Sequence, residues 1–134
     1  MRFVPAAIAA IVGLLGCGPA ASIPRGEFIN RGDAICRATA TRIDQLAAPA
    51  PATRARPEVR AGYVDAYVAE LRHELVMLRA IGYPRGGRRR LNRAYEAVDA
   101  ALTAVERDPL SFRESSFAPS AAELRAAGLT DCRP

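Results

Sequence analysis

The stretch "PEVRAGYVDAYVAELRHELVMLRAI", Pro57 to Ile81, decides the fold. Its apolar residues Val64, Tyr67, Val68, Leu71, Leu75, Leu78 and Ile81 recur at spacings of three and four. At 100° per residue that spacing gathers them on one face of a helix. Pro57 and Glu58 supply the first-position proline and first-turn acid that favour a helix start, and Gly82, Pro84 and Gly86-Gly87 stop it. A helix of this kind is stabilised mainly by packing its apolar face, so matching helices are expected on either side.

Both sides supply one. Upstream, Phe28, Ile35, Thr39, Ile43 and Leu46 share an arc of a helix predicted from Glu27 to Ala47, with Asp33, Arg37, Thr41 and Asp44 opposite. Pro49 and Pro51 end it, and "APAPATRAR" reads as a loop. Downstream, Leu91, Tyr95, Val98, Leu102 and Val105 predict a third helix from Arg88 to Arg107, closed by Asp108-Pro109. Leu110 to Ala118 is ambiguous, with a short helix around Phe112 as one reading. Ser120 and Glu123 match a capping box, and Gly128-Leu129 matches a helix end, so Ala121 to Ala127 is predicted as two helical turns. The fold class expected is all-α: an antiparallel bundle of three main helices plus a short C-terminal helix.

The chain has 134 residues, enough for one modest core. Alanine dominates its apolar half, with four Tyr, four Phe and no Trp, so packing should be thin. All 19 basic residues are arginine, a bias that GC-rich coding explains most simply, and the net charge of +5 is weaker than a nucleic-acid binder carries.

Met1-Arg2 followed by 13 almost unbroken apolar residues, Phe3 to Leu15, has the outline of a signal peptide and is shorter than the about 20 residues of a membrane span. Leu14-Leu15-Gly16-Cys17 resembles a bacterial lipobox. That resemblance implies diacylglycerol on the Cys17 thiol and cleavage after Gly16. The alternatives are a signal peptide discarded together with Cys17, or an intracellular apolar helix. The expected organisation is a lipoprotein signal peptide over 1–16, a lipidated tether over 17–26 and a helical bundle domain over 27–134. With Cys17 committed to lipid, Cys36 and Cys132 remain to close the bundle by a disulfide, as an exported chain favours; two free buried thiols are the alternative.

Catalytic and cofactor signatures are sparse. His73 is the only histidine, which removes most triads and metal sites. Glu70-Leu-Arg-His73 has the spacing of a di-iron motif, but that site needs a second copy, and His73 projects away from the apolar face. No cofactor, metal or catalytic group is expected. Glu74 projects to the edge of the apolar face, either as a boundary carboxylate paired with an arginine or as a partner for a tyrosine hydroxyl in a cleft. Tyr63, Tyr67 and Tyr95 are core-edge residues by pattern, with a small-ligand pocket near Tyr67, Glu74 and Tyr95 as the rival reading. "GYPRGGRR" lacks the Lys-Ser/Thr pair of a phosphate loop and follows a helix instead of a strand.

Arg85, Arg88, Arg89, Arg90 and Arg93 crowd a helix N-terminus, where cations oppose the macrodipole. In an up-down-up bundle that turn returns to the end joined to Cys17, so the cluster is expected to face an anionic membrane surface or an envelope protein; coding drift in an exposed loop is the alternative.

Asp33-x-Ile35-Cys36, "LRAIGYP" from Leu78 to Pro84, and Gly128-Leu129-x-x-Cys132 together resemble small exported lipoproteins of unknown function from actinobacteria. The resemblance implies an exported, disulfide-closed helical domain and carries no activity. The functional expectation is a lipid-anchored, extracytoplasmic, non-catalytic interaction module, with a small-ligand carrier as alternative and no nucleic-acid partner. Cys17→Ser should move the protein from the detergent phase to the soluble or unprocessed pool in phase partitioning; unchanged partitioning would refute lipidation.

Overall fold

The computed structural model describes residues 22–46 and 56–132. The expected signal peptide, Cys17, the first part of the tether and most of the "APAPATRAR" loop lie outside them. The described chain is mostly helical. Strand β1 (Ser22–Ile23) leads into α1 (Arg25–Asp44), then come α2 (Pro57–Ala80), strand β2 (Tyr83–Pro84) and α3 (Arg88–Arg107). Two 3-10 turns, Pro109–Ser111 and Glu114–Phe117, precede α4 (Ala118–Ala126). Helix α2 packs against both α1 and α3, and α3 packs against α4.

Helices α2 and α3 bury the faces their sequences predict. Val64, Tyr67, Val68, Leu71, Leu75 and Leu78 of α2 meet Leu91, Tyr95, Val98, Leu102 and Val105 of α3 in one core. Helix α3 also has the expected bounds, and the end of α2 falls one residue short of Ile81. Helix α1 departs more. It starts two residues before Glu27, because Pro24 in an extended conformation already presents its carbonyl to the Phe28 N–H at 3.0 Å. It ends at Asp44 instead of Ala47, because the Gln45 and Leu46 N–H groups turn to the tighter acceptors Arg42 and Ile43.

The tether reading fails at its last residues. Ser22 and Ile23 pair in parallel with Tyr83 and Pro84, and Arg25 and Gly26 belong to α1. Pro84 has no N–H to give, so the Arg85 N–H donates to Ile23 O at 3.2 Å. The start of α1 thereby lies beside the turn between α2 and α3.

Helix α4 begins at Ala118, three residues before the predicted start. Phe117 is fully buried, and drawing it into the core runs the preceding 3-10 turn straight into the helix, with Pro119 in its first turn. Ser120 is therefore inside the helix, and its hydroxyl donates back to Phe117 O at 2.8 Å in place of the predicted capping box. The predicted stop is present. Gly128 takes φ +106°, and the Leu129 and Gly128 N–H groups bond Leu124 O and Arg125 O at 3.0 and 2.9 Å, a Schellman closure.

That closure aims Leu129 into α1, where a Cβ on Gly32 would collide with the Leu129 side chain. Asp33, predicted on the solvent side of α1, is buried for the same reason: its carboxylate accepts from the Asp131 N–H at 3.1 Å and the Thr130 hydroxyl at 3.3 Å. Arg37 pairs with Asp131 on the same segment. One residue further, Cys132 and Cys36 form the expected disulfide, with Cα atoms 4.7 Å apart and both residues buried.

The bridge spans 96 residues of sequence, a loop whose closure is worth about 4 to 5 kcal/mol at most in the chain-entropy model. Replacing both cysteines by alanine should therefore lower the unfolding free energy by about 2 to 5 kcal/mol in urea titration. Amide exchange should show α4 and the segment after it losing protection first. A loss under about 1 kcal/mol would mean that Leu129 and Asp33 hold the terminus without the bridge.

Candidate functional site

The features that depart from an ordinary helical core lie at two places, a basic end and a buried carboxylate. The basic end is assembled by the β1–β2 pairing. The first residue of α1, Arg25, comes beside Arg85 in the turn and Arg90 in the first turn of α3. With Pro84, Gly87 and Ala127 these arginines line an open cavity of about 190 Å³. Arg90 Nη1 donates to Ala126 O at 3.2 Å, which fixes its guanidinium against the end of α4. Arg88 lies over the Tyr83 ring, 5.1 Å from its centroid. Arg88, Arg89 and Arg93 are exposed and stand outside the cavity lining. Among the described residues, no carboxylate pairs with Arg25 or with any member of the predicted cluster. Of the predicted cluster, Arg85 and Arg90 line the cavity, where they are joined by Arg25. Its recruitment depends on a two-residue backbone pairing that leaves no side-chain pattern in the sequence.

The buried carboxylate is Glu74. Its predicted place was the edge of the apolar face; its observed place is the interior, at 4% exposure. A carboxylate oxygen and both sulfurs of the Cys36–Cys132 bridge lie within 4.8 Å of one another. The nearby Arg42 donates elsewhere, from Nε to Glu70 Oε2 at 2.6 Å and from Nη2 to the Thr39 hydroxyl at 3.1 Å. Glu74 Oε2 has no hydrogen-bond partner among the described residues. Burial pushes this carboxyl up to about 7, against the smaller pull of the Thr39 hydroxyl and the Arg42 charge. Cys36, Glu74 and Cys132 are close enough together to ligate an ion, but sulfurs joined to each other are not the thiolates a metal needs.

Tyr67 and Tyr95 are also buried, at 3% and 2% exposure. Tyr67 sits in an aromatic group with Phe112, Phe117 and Tyr63, at centroid distances of 5.1, 6.1 and 6.1 Å. Burial raises its hydroxyl to about 12. Tyr95 lies instead near Tyr83 and Arg79, with the Arg79 guanidinium 5.8 Å from its ring centroid and no partner for its hydroxyl. Neither the cavity at the basic end nor a second one of about 380 Å³ beside Arg37, Asp44 and Asp131 is lined by Tyr67, Glu74 or Tyr95. His73 is exposed, as predicted.

No family model, curated protein or solved structure matches the chain. No described helix is long and apolar enough to cross a membrane.

Glu74 makes stability depend on pH. Its carboxyl ionises near 4.5 in an open chain and near 7 in the folded one. Below 4.5 both states hold the proton and folding bears no penalty. Between 4.5 and 7 the unfolded chain releases it first, so stability falls as pH rises, by about 3 kcal/mol in all. Glu74→Gln should abolish that fall and leave the variant more stable than wild type at pH 8 and close to it at pH 4.5. Thermal unfolding at the two pH values checks this; parallel pH profiles for the two proteins would contradict it.

Proposed function

We propose that the protein is a lipid-anchored, extracytoplasmic antiparallel helical bundle that acts by binding, with its basic end turned toward an anionic membrane surface. The single observation that carries this reading is the pairing of Ser22–Ile23 with Tyr83–Pro84, which joins the first described residues to the turn holding Arg85, Arg88, Arg89, Arg90 and Arg93. The same pairing, together with the packing of α2 between its neighbours, supports a course up α1, down α2 and up α3. Five residue steps separate Ser22 from Cys17. Fully extended they reach about 18 Å at most. A lipid on Cys17 would therefore keep the arginines close to the leaflet, where each contributes about 1 kcal/mol at an anionic surface and the field decays over about 8 to 10 Å.

The electrostatics of the helix start gives no reason for the cluster. The first turn of α3 carries three arginines and no acid, and no side chain caps it, an arrangement that costs a few tenths of a kcal/mol per exposed cation. A binding role accounts for that cost. The carrier alternative has less support, since Tyr67, Glu74 and Tyr95 fill the core instead of lining a described cavity.

The test is vesicle binding by the exported full chain carrying Cys17→Ser, which removes the lipid and leaves the surface. It should bind vesicles containing phosphatidylglycerol, ignore purely zwitterionic ones, and lose binding as salt shortens the Debye length to about 3 Å. Replacing Arg88, Arg89 and Arg90 by Gln should weaken binding about 100-fold without unfolding the domain. Equal affinity for neutral and anionic vesicles would overturn the reading.

A further inference from the structure

We propose that the cleft between Arg25, Arg85 and Arg90 is a binding site for a single phosphate group, a phosphomonoester carried by a lipid head group or by a small soluble molecule. The lipid source rests on the membrane-facing reading above; the site itself does not.

The three guanidinium groups come from three separate parts of the chain: the first residue of α1, the α2–α3 turn and the first turn of α3. They share one concavity whose lining includes no acid. Guanidinium forks match the oxygens of phosphate and carboxylate geometrically. A carboxylate has one charge and two oxygens, enough for one fork. A phosphomonoester brings about 1.5 to 2 charges and three free oxygens at neutral pH, which suits three cations arriving from different directions.

Size narrows the ligand further. A cavity of about 190 Å³ exceeds a water's share of liquid volume, about 30 Å³, several times over. It falls short of the roughly 300 Å³ at which pockets for drug-sized molecules begin. The cleft suits a charged head group and leaves whatever carries it outside. The Ala126 carbonyl ties down one nitrogen of Arg90 and leaves the rest of the fork free. Gly86 and Gly87 add backbone without side chains to the floor, and the uncapped first turn of α3 contributes positive potential beside the arginines. Like charges held together without a counter-ion repel one another, so the folded protein should be stabilised by an anion that joins them.

The experiment titrates the exported Cys17→Ser full chain with inorganic phosphate while its melting temperature is followed, and separately compares vesicles containing phosphatidic acid or phosphatidylglycerol at matched surface charge. Phosphate should raise the melting temperature in a saturable way, while chloride at equal ionic strength should not. Arg25→Gln with Arg85→Gln should weaken phosphate binding about tenfold or more, the size of one charge-assisted hydrogen bond. Arg88→Gln with Arg89→Gln, outside the cleft, should leave it unchanged. Both pairs are exposed, and melting without phosphate verifies that they fold. A lipid source predicts tighter binding to phosphatidic acid, a preference lost in the Arg25/Arg85 variant alone. A soluble source predicts phosphate binding without that preference. No saturable phosphate effect and no preference for phosphatidic acid would overturn the site, even where anionic vesicles still outbind neutral ones and the leaflet reading stands. Saturable, Arg85-dependent phosphate binding with equal affinity for neutral and anionic vesicles would uphold the site and end the leaflet reading.

Discussion

The Cys36–Cys132 bridge is the constraint on which the described structure depends. It fixes the last described residue to the middle of α1, and the segment leading to it must then lie along that helix. Leu129 enters the space that Gly32 leaves open, and Asp33 takes the Asp131 N–H and the Thr130 hydroxyl. Helix α4 has only nine residues and would be marginal alone. It is held between the bridge on one side and α3 on the other. Its last turn in turn presents Ala126 O to Arg90, 36 residues away in sequence. A cross-link near the chain end thus reaches the basic end through a helix that could not hold its position unaided.

The same bridge accounts for the buried acid. Three long alanine-rich helices leave little volume for a core, and the large side chains that fill it are few, chiefly Phe28, Tyr67, Tyr95, Phe112 and Phe117. Glu74 occupies an apolar position in α2, and the disulfide closes over it. An ionised carboxylate there would bear a large desolvation cost. Retaining the proton near neutrality is the cheaper state, which is what the rise of its carboxyl to about 7 expresses. Arg42 could have neutralised it, but Glu70 one turn earlier is partly exposed to water and takes the guanidinium at lower cost.

What was legible in the sequence follows the range of the forces involved. The faces of α2 and α3 were legible because burial repeats with the helical period over about four turns. The bridge was legible because the expected export and the expected commitment of Cys17 left only Cys36 and Cys132 to pair. The stop after α4 was legible because Gly128-Leu129 specifies it locally. The misreadings share a different cause, tertiary cover. Asp33 and Glu74 are polar residues buried by a segment far along the chain, and no helical wheel contains that segment. The Ser120 capping box was locally correct and lost to the burial of Phe117, which is worth more than one cap. Arg25 could not be assigned to the basic end because the pairing of Ser22–Ile23 with Tyr83–Pro84 is made by backbone atoms, and any side chains would permit it.

That pairing gives the basic end a particular physics. Two residues of parallel strand are weak by themselves, and the pairing draws Arg25 toward Arg85 and Arg90 against their mutual repulsion. The opposing forces act on the same few atoms. An anion seated among the three arginines would remove the repulsion and so strengthen the pairing, and a firm pairing would in turn preform the cleft for the anion. The reciprocity is required by linkage, since whatever binding does for the pairing, the pairing must do for binding. Under the proposed anchoring at Cys17, the residues that tighten are those nearest the membrane, so ligand binding at this end would also fix how the bundle stands on its tether.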